Sequence, residues 1–365
     1  WFNQPYIRNI LTPGRHANFS GKVARSEDDV YLSNPTYELV AEHEHHETKH
    51  TGRIVPIYPE TRGLTSKGIR YLVKPLLDDL ARIPEVIPAA LLEAHRLPEV
   101  NAALRAIHFP DTLDDALRAK RRFAFEDLFL LQLTSLRERL KLAREKAPGI
   151  TVDLEHVKTL IAELPFTLTQ SQKQSLWEIL QDLAKPHPMN RLLQGDVGSG
   201  KTVVAAIAAL EVARAGYQAA FMAPTEILAR QHYRTIAKLF PEFGGGVALL
   251  TSSESRISYG HGLESELTKS NIHREIGNGK IAIVIGTHAL LQRGVTFARL
   301  GFLVIDEQHR FGVRQRQRLK DKGNPHFLAM TATPIPRTLA LTAYGDHDLS
   351  VLLEKPGNRK KIATK

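Results

Sequence analysis

Residues 195–202 read Gly-Asp-Val-Gly-Ser-Gly-Lys-Thr, set between the apolar pair Leu192-Leu193 and a helix-forming Val-Val-Ala-Ala-Ile-Ala-Ala-Leu. This satisfies the G-x-x-x-x-G-K-[ST] spacing of a phosphate-binding loop. Gly195, Gly198 and Gly200 let the backbone curl until its N–H groups, including those of Asp196, Val197 and Ser199, face phosphate oxygens. The start of the following helix adds favourable potential for an anion. Lys201 would neutralise phosphate charge, and Thr202 would offer its hydroxyl to Mg2+.

A phosphate loop names neither the reaction nor the partner, and a hydrolase also needs a carboxylate pair at the end of a neighbouring strand. Phe302-Leu303-Val304-Ile305 followed by Asp306-Glu307 supplies one. Asp306 would hold the Mg2+ shell, and Glu307 would polarise the attacking water. An acidic pair after an apolar run is common. About a hundred residues downstream of a complete phosphate loop, it points to a nucleoside triphosphatase that uses Mg2+.

The elements that must position these groups follow from hydrophobic patterning. Beyond residue 151, helices alternate with short continuous apolar runs at 192–193, 219–222, 247–250, 281–285, 302–305 and 327–330. Such runs predict a mainly parallel sheet covered on both faces, hence an α/β domain that binds ligands beyond the carboxyl ends of its strands. Each run ends in a polar cluster, and those clusters would share one edge. The stretch 252–275, rich in Ser, Gly and charge, reads as a surface elaboration. Upstream, 64–147 changes to helical period: Leu72, Leu76, Leu77 and Leu80 recur at that spacing, as do Phe125, Leu128, Phe129, Leu133, Leu136 and Leu140. This predicts a helical connector whose aromatic residues belong to its core. Residues 1–57 carry short β-prone pieces at 21–25, 29–32 and 52–58, broken by turn residues, as expected of an incomplete small barrel. His43, His45, His46 and His50 invite a metal reading, but a solvated loop fits a tract without an apolar frame better.

Bulk properties set the outer limits. A chain of 365 residues predicts two or three domains. No apolar stretch approaches the roughly 20 residues that a bilayer demands, and Trp1-Phe2-Asn3-Gln4-Pro5 lacks a signal-peptide pattern. The absence of an initiator Met suggests a piece of a longer protein. Zero cysteines exclude disulfides and thiolate metal sites and fit a reducing cytoplasm. The formal charge of +10 favours a polyanionic partner.

Further text around the acidic pair carries a family resemblance. Asp306-Glu307-Gln308-His309 resembles the DEAH-type box of superfamily 2 helicases. Residues 223–232 (Ala-Pro-Thr-Glu-Ile-Leu-Ala-Arg-Gln-His) resemble their motif Ia, 286–292 (Gly-Thr-His-Ala-Leu-Leu-Gln) the motif that precedes the box, and 331–338 (Thr-Ala-Thr-Pro-Ile-Pro-Arg-Thr) motif III. Together with Arg310-Phe311-Gly312-Val313-Arg314-Gln315-Arg316, these resemble the RecG family of bacterial ATP-dependent helicases of branched DNA. Phe2-Asn3-Gln4-Pro5-Tyr6 and Tyr31-Leu32-Ser33-Asn34-Pro35 resemble that family's OB-like wedge, and 107–110 with 119–128 its helical linker.

The resemblance implies a partial wedge at 1–60, a linker at 61–150, a first RecA-like lobe at 151–350, and a connector at 351–365 leading to a second lobe. It gives Lys201, Asp306, Glu307, Gln308 and His309 to catalysis and Gln172 to reading adenine. Pro224, Thr225, Gly286, Thr287 and His288 would touch DNA, and Thr331 and Thr333 would couple phosphate state to DNA grip. The basic run from Arg310 to Lys322 and the aromatics Phe2, Tyr6, Phe19 and Tyr31 are further candidates for DNA contact. Implied partners are double- and single-stranded DNA at forks and Holliday junctions, with a single-strand-binding protein as an accessory, and a monomeric state in the cytoplasm. Because the family's arginine fingers come from the second lobe, residues 1–365 alone are expected to bind nucleotide weakly and unwind nothing. A translocase of the transcription-repair coupling type shares much of the motor text and is the nearest alternative. An ATP-gated DNA-binding module is another.

Overall fold

The computed structural model describes residues 1, 4–26, 29–40, 51, 53–287, 290, 294–307, 324–333 and 347–354. Phe2, the histidine tract, His288, Gln308, His309, the basic run from Arg310 to Lys322 and the second half of the motif at 331–338 lie outside them. The chain divides into two compact units, Trp1–Leu130 and Leu131–Lys365.

The first unit contains α1 (Ile7–Ile10), β1 (His16–Arg25), β2 (Val30–Val40), α2 (Ser66–Asp78), α3 (Ala89–His95), α4 (Val100–His108) and the greater part of α5 (Leu113–Leu142). Strands β1 and β2 form an antiparallel hairpin with a register shift between Ser20 and Lys22. Gly21 sits at that shift, where an added Cβ would lie 3.0 Å from Pro35 Cα, so the strands approach this closely only without a side chain. Trp1 donates from its indole N–H to the Pro35 carbonyl at 2.8 Å and packs against Phe19 and Tyr37. Among the described residues this unit has these two strands, and they do not close into a barrel.

The third expected strand, at 52–58, is absent from 53–58. Two of its backbone groups are taken by α2 instead: Arg70 donates to the Pro56 carbonyl at 2.8 Å, and the Tyr58 N–H donates to Ser66 Oγ at 3.0 Å. Side chains thereby replace the ladder that would have made 53–58 a strand. In the connector the helices form as the spacing predicts, but burial differs from expectation. Leu72, Leu76, Leu128, Leu133, Leu136 and Leu140 are exposed, whereas Phe125 and Phe129 are half-buried and stack at 6.1 Å. The buried polar centre is Arg122, fully enclosed between Glu85 (2.6 Å) and Glu126 (2.5 Å). Glu85 also accepts from the N–H groups of Ile87 and Val100, pinning the start of α4 to α5.

The second unit runs α6 (Leu154–Glu163), α7 (Gln170–Leu183), β3 (Asn190–Gly195), α8 (Lys201–Arg214), β4 (Gln218–Met222), α9 (Glu226–Leu239), β5 (Val247–Leu250), β6 (Ser255–Ser258), β7 (Glu264–Glu266), α10 (Lys269–Gly277), β8 (Ile283–Gly286), β9 (Leu300–Asp306), β10 (His326–Thr331) and β11 (Asp348–Leu352). Its sheet has the order β11-β3-β10-β9-β4-β8-β5-β6-β7, parallel from β11 through β5 and antiparallel in the β6–β7 hairpin. Both faces are covered, and the period of two is legible within single strands. Ala219 and Phe221 pack with Leu176, Ile207 and Ile236, whereas Ala220 and Met222 pack with Ile272 and Ile276. Helix α8, buried from Val204 through Val212, explains why its sequence lacks a polar face.

The stretch 252–275 resolves into the β6–β7 hairpin and the start of α10. Arg256 on β6 pairs with Glu254 at 2.5 Å and with Glu266 at 2.7 Å. Among the described residues no helix is long and apolar enough to cross a membrane.

Candidate active site

Strand β3 delivers the phosphate loop to the carboxyl edge of the sheet, and α8 begins at Lys201. Gly198 (φ 76°) and Gly200 (φ 90°) occupy the left-handed region that L side chains avoid, which is why the loop needs glycine at these positions. At Gly195 an added Cβ would fall inside Ser199, and at Gly200 it would fall inside the Gln172 amide.

Gln172 is 3% exposed and clamps the loop. Its Nε2 donates to the Ser199 carbonyl at 2.7 Å, while its Oε1 accepts from the Thr169 N–H at 2.8 Å and closes the capping box that starts α7. Both ends of the amide are thus engaged within the chain, which leaves one N–H and one oxygen lone pair of Gln172 for a further partner. Lys201 Nζ donates to the carbonyls of Gly195 (2.7 Å) and Asp196 (3.1 Å), folding back over the loop. Burial pushes its pKa below the usual lysine range, while the charges of Asp306, Glu307 and Asp196 act in the opposite sense.

The lysine and the acidic pair stand at one edge, because β10 pairs in parallel with both strands and sets Thr331 opposite Gln194 and Met330 opposite Asp306, although β3 and β9 are not neighbours. Strand β10 lies between β3 and β9, correcting the expectation that the pair stands on a strand adjoining the loop. The inserted strand contributes its own end. The Glu307 N–H donates to the Met330 carbonyl at 3.0 Å, and the Glu307 carboxylate accepts from the Ala332 N–H at 3.3 Å. Thr331 and Thr333 share a hydroxyl–hydroxyl bond of 2.8 Å beside it. Glu307 has φ 54°, unusual for a residue with a side chain, and these contacts hold it there.

Asp306 is met from the other side by His232 of α9. The His232 Nε2–Asp306 Oδ2 separation is 2.9 Å, and His232 Nδ1 lies 3.5 Å from Thr202 Oγ1. Sequence reasoning missed this histidine. It falls in the row Ala229, His232, Tyr233, Ile236 that α9 buries, and a polar member of a buried row was the available signal.

The residues present fit a triphosphate with magnesium. Ser199 Oγ is buried and has no hydrogen-bond partner among the described residues, and it sits inside the loop where an acceptor oxygen would satisfy it. A hydroxyl and a carboxylate are hard oxygen donors, and Mg2+ characteristically takes one or two protein ligands plus phosphate and water. Among the described residues no group of three His, Asp or Glu forms a denser metal cluster.

Along the same edge, the Ala223 N–H donates to the Gly286 carbonyl at 2.9 Å, joining the ends of β4 and β8. Pro224 and Thr225 therefore lie beside Gly286 and Thr287. The exposed Thr225 caps α9 through the Leu228 N–H at 3.3 Å, whereas Thr287 is largely buried.

Comparison with known proteins matches residues 1–79 to the RecG wedge domain and residues 169–342 to the DEAD/DEAH box helicases. Proteins named ATP-dependent DNA helicase RecG from Synechocystis and Bacillus subtilis are 42% and 41% identical over 99% and 100% of this chain, which covers 43% and 51% of theirs. A solved structure of RecG bound to a three-way DNA junction superposes with a TM-score of 0.76 at 37% identity, covering 99% of this chain and 48% of that one. The chain spans about half the length of the curated relatives that it matches.

Proposed function

The chain belongs to the RecG family, and on that premise we propose that the protein uses ATP and Mg2+ to drive the remodelling of branched DNA, such as stalled forks and Holliday junctions. The observation that carries this reading is that β3 and β9 run parallel on either side of β10 and end at the same level, which brings the phosphate loop and Asp306-Glu307 to one sheet edge. In the motor step, the Lys201 ammonium exchanges its loop carbonyls for phosphate oxygens, and the loop amides and Ser199 hydroxyl complete the cradle. Thr202 and Asp306 would hold Mg2+, which when bound screens the phosphate charge. Glu307 orients and polarises the attacking water. Its bond to the Ala332 N–H gives the 331–333 turn a direct sense of that carboxylate's position.

On the DNA side, the strand-end loops at Pro224-Thr225 and Gly286-Thr287 would hold a strand by its phosphates without reading sequence. Tyr6, Phe19 and Tyr31 are exposed on the first unit and are available to stack on unpaired bases at a junction. The match of residues 1–79 to a RecG wedge disfavours a transcription-repair coupling translocase. The same reading includes adenine recognition by Gln172, roles for Gln308, His309 and His288, and the four-segment organisation with boundaries near 60, 150 and 350. It further includes a cytoplasmic monomer that cooperates with a single-strand-binding protein.

The test is strand release from a synthetic fork by the full-length protein. Lys201→Ala is expected to lower ATP-dependent unwinding by about a hundredfold or more, as removal of a key charge-stabilising donor does, while fork binding measured by gel shift persists. Equal loss of both would contradict the division between motor and grip. A wild-type shift with no strand release would mark an ATP-gated binder instead.

A further inference from the structure

Helix α9 connects two parts of this site that the motor chemistry treats separately. Its first turn is capped by Thr225 in the loop assigned to DNA contact, and two turns later it presents His232 to the magnesium pair. At about 1.5 Å of rise per residue, the seven residues from Thr225 to His232 span roughly 10 Å of continuous helix. His232 is 6% exposed, and its imidazole lies against Phe221 of β4 with a ring separation of 6.5 Å. One ring nitrogen contacts Asp306 Oδ2 at 2.9 Å, and the other reaches toward Thr202 Oγ1 at 3.5 Å. A single side chain therefore touches both residues proposed to hold Mg2+ and comes from neither of their elements.

We infer that His232 is a positioning residue that transmits strand contact at the start of α9 to the orientation of Asp306 and Thr202. The inference rests on the motor reading above. The imidazole fixes one carboxylate oxygen of Asp306 and so decides which oxygen faces the cation. A helix is stiff along its axis, so a shift imposed on Pro224-Thr225 by a bound strand reaches the ring at nearly full size. The ring must then carry Asp306 with it or release it. Outer-shell partners of this kind commonly govern metal affinity about 10–100-fold. DNA would thus tune how well the loop holds magnesium nucleotide, through a residue that touches neither.

The test uses the full-length protein with His232→Phe, which keeps bulk and loses both polar contacts, and His232→Gln, which keeps one amide within reach of Asp306. Binding of a fluorescent ATP analogue is titrated with Mg2+, with and without a synthetic fork, and ATPase is measured in parallel. For His232→Phe, fork binding is expected to persist while the Mg2+ needed for half-maximal nucleotide binding rises about tenfold, in line with a lost outer-shell partner. Stimulation of ATPase by DNA should shrink by a similar factor, and His232→Gln should recover part of both. A His232→Phe protein with wild-type Mg2+ demand and wild-type stimulation overturns the inference while leaving the motor reading intact. Should the Phe variant fail to fold, His232→Leu, which likewise loses both polar contacts, decides through the same titration, and unchanged Mg2+ demand and stimulation there overturn the inference equally. A wild-type protein whose ATPase ignores DNA would instead overturn the motor reading and the inference together.

Discussion

At the scale of single residues, Gly200 sets the hardest constraint on the site. Its φ of 90° is costly for any L side chain by about 1–2 kcal/mol, and a methyl group there would also strike the Gln172 amide that clamps the loop. Gly200→Ala is therefore expected to weaken binding of a fluorescent ATP analogue by about tenfold or more, since each 1.4 kcal/mol is a decade. Titration of the purified variant checks this, and wild-type affinity would show that the loop tolerates a side chain at the clamp. The phosphate loop was legible in the sequence because its function depends on local spacing, which eight consecutive residues display. His232 was not. Its meaning comes from Asp306, 74 positions away, and a histidine within a buried helical row reads by itself as ordinary core.

At the scale of elements, His326 ties β10 to its surroundings in a way that makes the second unit sensitive to acid. The imidazole is fully buried; its Nδ1 accepts from the Met189 N–H at 3.1 Å, and its Nε2 meets the Pro148 carbonyl at 2.8 Å. That pair of partners requires the neutral ring with its proton on Nε2. Burial pushes the pKa below the usual imidazole value, with the Pro148 carbonyl opposing. The unfolded chain takes up a proton below about pH 6.5 while the folded one resists, so this contribution is complete above that value and declines as pH falls toward the depressed folded pKa. Urea melts at pH 7.5 and 5.5 should show a stability loss that His326→Gln reduces. An unchanged pH slope in that variant would remove His326 from the account.

The parallel sheet was legible from its apolar runs, each of which became a buried strand or part of one. The strand order was not. Nothing local in Phe327-Leu328-Ala329-Met330 says that it will slot between β3 and β9, because lateral neighbours are chosen by packing across the whole lobe. At 53–58 the β-prone residues lost to side-chain hydrogen bonds, accepted by Ser66 and donated by Arg70, a competition invisible to propensity. Helical spacing likewise announced α5 without saying which of its leucines would be covered.

At the scale of the whole molecule, the formal charge of +10 bears on affinity more than on sequence preference. Neutralised phosphates release counterions, so fork binding should weaken by about tenfold or more between about 50 and 200 mM salt, with little dependence on base sequence. Fluorescence anisotropy across a salt series checks this, and a flat salt response would shift the contact from phosphates to stacking. The rim of the nine-stranded sheet has a different consequence. Strand β7 is Glu-Ser-Glu and wholly exposed, and its hairpin neighbour β6 is laced to acidic side chains through Arg256. Behind them, β5 is four buried apolar residues. An unprotected Val-Ala-Leu-Leu border would be a template for strand addition by another chain, and a short, negatively charged selvage repels that recruit. The hairpin thereby covers the apolar β5 border with a short charged edge of the kind that disfavours strand addition.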